Sequence, residues 1–390
     1  MRIYSGIMLL LLLAGTSLRA GEQTVSSRED LLQAVQLAMP GDVLSLASGI
    51  TIRGGLELRE IHGTKAAPVI LRAEDSQKPP VFEGGGSGVH VTRCSYLTID
   101  GLHLTGATGN GINVDNGGSQ TTTSRGITLL NLVVTNVGPN GNSDGIKLSG
   151  LDEFKVENCR IVDWGNGGSA IDMVGCHDGV IADCMISRNP DDTKGRQQAN
   201  GVQMKGGSAR IVVRKCRFEH PGGRGVNVGG STGKEFFRPA DANYEAKDIT
   251  VEDCQFIGGM AAIAFVGVDS AIVRNNTLYH SGRWALRILL ENRTTGLLPS
   301  RKGTFSNNIV VFNSQQMVDA VNVGDATAPE TFRFENNVWY CEDRPEQTQR
   351  RVRLPVQEVD GIYDTKPEFF NAPIDLRIKS PASLQDYGPR

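Results

Sequence analysis

The chain predicts an all-β solenoid of stacked parallel coils, and three observations carry that expectation. Of its 390 residues 47 are glycine and only 6% are aromatic, a composition suited to short strands and tight turns. A five-residue pattern (small or polar residue, Gly or Ala, Ile or Val, variable residue, apolar residue) recurs nine times. A second stretch that can be aligned follows each copy, so the sequence repeats as a unit. With 40 basic against 43 acidic side chains, 39% hydrophobic residues and a pI near 6.1, the chain does not fit a disordered tail, a collagen-like protein or an all-round basic nucleic-acid binder.

The elements follow in chain order. Arg2 precedes an apolar run from Ile7 to Ala14 that holds five consecutive leucines. The run is too short to span a bilayer, which takes about 20 residues. A charged start, a short apolar core and a small-residue exit read as a secretory signal peptide over residues 1–20, cleaved after Ala20. The mature chain is then expected to be soluble, without membrane insertion, and secreted or periplasmic. Loss of Arg2 and Arg19 leaves 38 basic residues against 43 acidic, a net charge of −5. That argues against general polyanion binding and leaves room for a local basic groove.

Residues 21–45 are expected to form an N-terminal cap. SREDLLQAVQLAM, from Ser27 to Met39, has the spacing of an amphipathic helix with Ser and acidic residues at its start, and Pro40-Gly41-Asp42 ends it. Such a helix would cover the open apolar end of a solenoid. The solenoid itself is assigned to residues 46–340. Beyond it periodicity fades into polar segments, 341–390, that should close the last coil.

Within the solenoid the pattern reads SGVHV at Ser87, NGINV at Asn110, DGIKL at Asp144, SAIDM at Ser169, NGVQM at Asn200, RGVNV at Arg224, AAIAF at Ala261, WALRI at Trp284 and DAVNV at Asp319. Apolar and variable positions alternate, the period of a strand. The stretch after each copy, read as one second strand, aligns Leu102, Leu132, Cys159, Cys184, Cys216, Cys254, Asn276, Asn308 and Asn337 in one inward column. Stacked coils bring such like side chains to about 4.8 Å. The ladder cysteines are therefore expected in the core, and no Cys-x-x-Cys spacing points to a metal. Successive copies start 23 to 37 residues apart. The excess over a minimal coil falls near 115–125, 136–143, 187–199, 229–247 and 291–303, as loops on both sides of the first-strand sheet. Loop walls beside a flat sheet make a groove.

On these residues the chain resembles secreted bacterial proteins of the pectate-lyase-like superfamily, whose fold is a single-stranded right-handed parallel β-helix. The capping helix followed by PGDVLSLASGIT is similar to the opening of polysaccharide lyase family six, the alginate lyase and chondroitinase B family. PEFFNAPIDLRIKSPASLQDYG resembles a closing motif of such proteins. The resemblance spans nearly the whole mature chain, and it implies a polysaccharide substrate. It is specific for fold rather than activity, because the superfamily also holds hydrolases, epimerases and adhesins.

The residues between the inward positions of each first strand form an outward column: His90, Asn113, Lys147, Asp172, Gln203, Asn227, Ala264, Arg287 and Asn322. It spans about 38 Å, long enough for several sugar units. The central coils are expected to place Lys147, Lys205, Arg224 and Arg287 against the single carboxylate of Asp172, beside Gln203 and Asn227. That excess suits an anionic polysaccharide. Lyases break polyuronates by β-elimination, in which a base removes the C5 proton while the sugar carboxylate is neutralised. NGVQMKGGS resembles the strand bearing the catalytic lysine of lyase family six, which implies Lys205 as the base. Where that family has its arginine this chain has Gly229, so Arg224 is the candidate substitute. Where it has acidic calcium ligands this chain has Gln198 and Asn200, so no metal ligand is assigned; the cofactor is left open, with calcium as a candidate that lacks a convincing acidic cluster. Lys147, Asp172, Gln203, Asn227 and Arg287 are expected to bind substrate, with Arg238 and Tyr244 as loop contacts. Arg287 is open to a structural pairing with Glu291, and Asp172 to one with a neighbouring lysine. Paired carboxylates for glycoside hydrolysis are missing from the columns. A non-catalytic carbohydrate-binding or surface protein, a C5 epimerase and a glycoside hydrolase stand as alternatives to the lyase.

Overall fold

A computed structural model describes residues 21–138, 141–189 and 198–389. The expected signal peptide lies outside them, as do parts of the loops near 136–143 and 187–199. Three long parallel sheets, of ten, eleven and fourteen strands among the described residues, run side by side along the molecule. Each coil visits all three in turn, as Val89–Thr92, Leu97–Asp100 and His103–Thr105 do before Ile112–Asp115 returns to the first sheet. No described helix is long and apolar enough to cross a membrane.

The ten-stranded sheet holds the pattern strands, in chain order Leu56–Arg59, Val89–Thr92, Ile112–Asp115, Ile146–Ser149, Ser169–Val174, Asn200–Lys205, Arg224–Gly229, Ala261–Val266, Trp284–Leu289 and Asp319–Val323. Leu56–Arg59 adds one coil ahead of the nine read from sequence. The backbone register pairs His90 with Asn113, then Lys147, Asp172, Gln203, Asn227, Ala264, Arg287 and Asn322, so the outward column is a physical row.

The stretches read as one second strand are in fact two, and they belong to different sheets. The chain turns a corner at a residue with positive φ: Gly101 (74°), Asn131 (52°), Asn158 (51°), Asp183 (53°), Lys215 (53°), Asp253 (54°), Asn275 (55°), Asn307 (55°) and Asn336 (53°). Gly, Asn and Asp tolerate this conformation best. The corner adds one outward residue, so the inward positions shift parity across it, as from Val156 to Cys159.

That next residue is the ladder. Cys159, Cys184, Cys216 and Cys254 are buried free thiols. Asn276 and Asn308 each donate from Nδ2 to the Oδ1 of the next asparagine at 3.0 Å. Asn337, last in the row, donates to Glu358 Oε1 at 2.7 Å, so a residue of the C-terminal segment satisfies the final rung. At the other end a helix over Arg28–Leu37 is capped by the Ser27 hydroxyl, which accepts from the Asp30 amide at 3.1 Å. It buries Leu31 and Ala34 in the core.

Candidate functional site

Loops 229–247 and 291–303 are tied to the sheet by Glu245, which is 1% exposed. Its Oε2 accepts from the Gly206 amide at 2.8 Å, in the turn that follows Lys205. Its Oε1 accepts from the Thr232 amide at 2.8 Å and from Asn292 Nδ2 at 2.6 Å. A second strut is Arg238. Expected as a loop contact to substrate, it lines the larger cavity described below, while its guanidinium is held against Asp152, with Nε donating to Gly175 O at 2.8 Å and Nη2 to His177 Nδ1 at 2.7 Å. Burial would raise the Asp152 carboxyl, but His177 and Arg238 hold it well below the usual range. Tyr244 also differs from expectation. Lys247 Nζ lies 5.7 Å from its ring centroid, and it lines neither of the groove cavities described below.

Between loop 229–247 and the loop near 115–125 the ten-stranded sheet floors a cavity of about 670 Å³, lined by Lys147, Ser149 and Lys205 from the strands and by Gln120 and Phe236 from the loops. Gln120 Nε2 donates to Glu235 O at 3.1 Å and joins the two walls. Phe236, 62% exposed, presents a flat apolar face at the rim.

The floor is an ionic cluster. Asp172, expected to face outward toward substrate, is 1% exposed, because the lysines on both neighbouring strands fold over it. Lys147 Nζ pairs with Asp172 Oδ2, and Lys205 Nζ lies 3.2 Å from Asp172 Oδ1. Against burial, which would raise it, these two ammonium groups hold Asp172 below the usual carboxylate range. Lys147 also reaches Asp144 at 3.5 Å. Asp144 is buried and accepts from the Ser169 amide at 2.7 Å; burial first, then the charge of Asp172, push its pKa up to about 7. Burial disfavours the Lys147 ammonium, but Asp172 and Asp144 outweigh it and raise its pKa. Gln203 accepts at Oε1 from Lys205 at 3.4 Å and from Ser169 Oγ at 3.3 Å.

A second cavity of about 430 Å³ lies on the far side of Gln203, lined by Asn200, Asn227, Arg224, Arg287, Met260 and Glu291 among others. Arg224, the candidate partner for Lys205, faces this cavity instead. It ion-pairs with Glu291, and its Nη1 donates to Asn227 Oδ1 at 3.0 Å. Glu291 thus takes Arg224 rather than Arg287. Arg287 donates from Nε to Asn322 Oδ1 at 3.0 Å and lies over the Trp284 ring at 4.3 Å.

The structure therefore brings Lys147 and Lys205 to one cavity, with Asp172 buried beneath them, and Gln203, Arg224, Asn227 and Arg287 to another. Sequence reasoning missed Asp144 and the pairing of Glu291 with Arg224. Asp172 and Glu291 offset two of the four cations, and Asp144 adds a third negative charge only as it ionises near pH 7. Among the described residues no cluster of three or more His, Cys, Asp or Glu is arranged to hold a metal.

The chain belongs to the right-handed β-helix family: the profile of the right handed beta helix region matches residues 81–238 and 200–340. Among solved structures it is similar to an alginate lyase from Paenibacillus sp. str. FPU-7, with 20% identity, a TM-score of 0.52, and coverage of 88% of this chain and 98% of that one. It is also similar to the pectate lyase Pel9A, with 13% identity, a TM-score of 0.53, and coverage of 92% and 81%. At these identities the likeness is one of fold, a pectate-lyase-like parallel β-helix. No curated protein matches the sequence.

Proposed function

We propose that the protein is an exported polysaccharide-active enzyme, a lyase that cleaves an acidic, uronate-containing polysaccharide by β-elimination in the groove of the ten-stranded sheet. The observation that carries this reading is the pair of amines, Lys147 and Lys205, held on one buried carboxylate at the floor of a loop-walled cavity. Two structures of the same fold bear the names of an alginate lyase and a pectate lyase, which supports the class of reaction.

In this reading the Lys205 ammonium first gives a proton to solvent, and the neutral amine then takes the C5 proton. The electron pair forms the C4–C5 double bond as the C4–O bond breaks, and the leaving oxygen takes a proton. Lys147, which shares the cavity with Lys205, replaces Arg224 as the group placed to supply that proton. Asp172 fixes both amines and compensates the ammonium that forms at Lys205. Phe236 offers its face to a sugar ring.

The test is a panel of polyuronates, with unsaturated-product absorbance recorded for the mature chain and for Lys205→Ala. Product that disappears in the variant supports the reading. A panel without product, with and without calcium, overturns it. One observation favours a second reading, glycoside hydrolysis: Asp144 and Asp172 both touch Lys147, and their environments push their pKa values apart, as an acid–base pair requires. Reducing ends released without unsaturated product, and lost in Asp172→Asn, would select it.

A further inference from the structure

We infer that the cavity of about 430 Å³ is a binding site for a sugar carboxylate, with Asn227 Nδ2 and the terminal nitrogens of Arg287 as its donors. The inference rests on the reading that the groove takes a polyuronate. It assigns the recognition of a carboxylate to a place that spans the first to the third coil step from the strand of Lys205, about 5 to 14 Å away.

Asn227 is 1% exposed, and its Oδ1 is occupied by Arg224. Its Nδ2 has no hydrogen-bond partner. An orphaned buried donor costs about 1–3 kcal/mol, and native structures rarely leave one unless something else supplies the acceptor. Arg287 is similarly unspent. Among the described residues only its Nε hydrogen-bonds, to Asn322, and no carboxylate pairs with it, because Glu291 is taken by Arg224. The Trp284 ring beneath holds the guanidinium in place.

Ala264 separates the two residues in the row and is itself fully buried; Asn227 and Arg287 both line the cavity beside it. What that space lacks is an acceptor with two oxygens and a negative charge. A carboxylate supplies both, one oxygen to the guanidinium and one to the amide. Gln203 and Met260, on the same cavity, line the room left for the ring that carries it. A neutral hexose would satisfy neither donor fully and would leave the Arg287 charge uncompensated.

Trp284, half-buried beneath Arg287, is the reporter, since Trp164 and Trp339 are both fully buried in the core. The mature chain is titrated with D-galacturonate, D-glucuronate and D-mannuronate, and with galactose, glucose and mannose as neutral counterparts, following indole emission. At least one uronate is expected to give a saturable change and to bind tenfold or more tighter than its neutral counterpart. Arg287→Gln and Asn227→Asp should each weaken that binding tenfold or more, with unchanged melting temperatures showing that the fold is intact. Lys205→Ala should leave it within twofold. Equal binding of acid and neutral sugars, or binding that survives both variants, overturns the inference. Uronate binding without turnover on any polymer would keep this site and sink the lyase reading. Elimination without uronate selectivity at Trp284 would do the reverse.

Discussion

Asp172→Asn is the substitution that reaches deepest into the groove. The amide keeps the shape of the side chain and removes the charge shared by Lys147 and Lys205, whose side chains are only 19% and 16% exposed. Two ammonium groups left about 5 Å apart repel by about 3 kcal/mol at an effective dielectric of roughly 20. Breaking a buried pair by removing one partner costs about 3–5 kcal/mol in general, so the two routes agree. The structure also supplies a reserve. Burial and the charge of Asp172 keep Asp144 protonated up to about pH 7; without that charge Asp144 ionises more readily, 3.5 Å from Lys147. The single variant is therefore expected at the lower end, near 3 kcal/mol, read as a shift of the urea midpoint at unchanged slope. Asp144→Asn with Asp172→Asn should cost more than the two single losses added, because the reserve is gone. A single-variant loss below about 1 kcal/mol, or simple additivity of the pair, would refute the idea that one carboxylate holds the floor together.

Other outcomes follow from the same contacts. Asp144 carries its proton up to about pH 7 in the fold but releases it near pH 4 in the unfolded chain, so its contribution is complete below about pH 4 and is lost as pH rises through 7. Wild type should thus lose more stability between pH 5 and pH 8 than Asp144→Asn does, by up to a few kcal/mol, in melts at the two pH values. Asn308→Ala removes a fully buried amide that donates to Val273 O, Ser306 O and Asn337 and accepts from Asn276; about 3 kcal/mol or more should disappear from the unfolding free energy. Glu245→Ala frees the Gly206, Thr232 and Asn292 donors together, and limited proteolysis should cut within 229–247 and 291–303 before the coils unfold. Gly225→Ala would place a Cβ 2.5 Å from the Phe256 ring and 2.7 Å from Ala262 O; a loss of about 1–3 kcal/mol is expected in chemical denaturation.

The row of outward residues was legible because a parallel solenoid repeats its register: once Ile112 is placed on Ile146, Asn113 must lie beside Lys147. The Cys-to-Asn ladder was legible for the same reason. The corner residues were not read, although each shifts the inward parity by one, from Val156 to Cys159 across Asn158, and the consecutive polar pair Glu157-Asn158 was the available signal. Asp144 was missed because it shares the inward parity of Ile146, where a carboxylate is not expected. Its Asp-x-x-Lys spacing to Lys147 was the available signal, and the Ser169 amide that satisfies it comes from another coil. Glu291 lies beyond the end of its strand, and it meets Arg224 across 67 residues of chain, a contact no periodicity encodes. Arg238 and Tyr244 sit in a loop, where side-chain direction follows from the anchor at Glu245 rather than from alternation.

These misses share a direction, and it bears on how the groove works. Counting a column finds the cations, because lysine and arginine lie across the sheet surface, and overlooks the carboxylates that are buried behind it or arrive from loops. Asp172 cancels one of the two charges at Lys147 and Lys205, and Asp144 offsets the other only as it ionises near pH 7, so the cluster exerts a reduced pull on a polyanion. What it offers is fixed position: two amines held within reach of one another in a partly dry cavity. Arg287 and Asn227 are the opposite case, donors left without acceptors beside a pair, Arg224 and Glu291, that has already cancelled. Attraction and chemistry are thus assigned to different coils. A substitution at Arg287 should therefore raise KM with kcat little changed, while one at Lys205 should lower kcat and leave KM near its starting value. The reverse pattern would mean that the charge at Lys205, and not the unspent donors around Arg287, draws the substrate in.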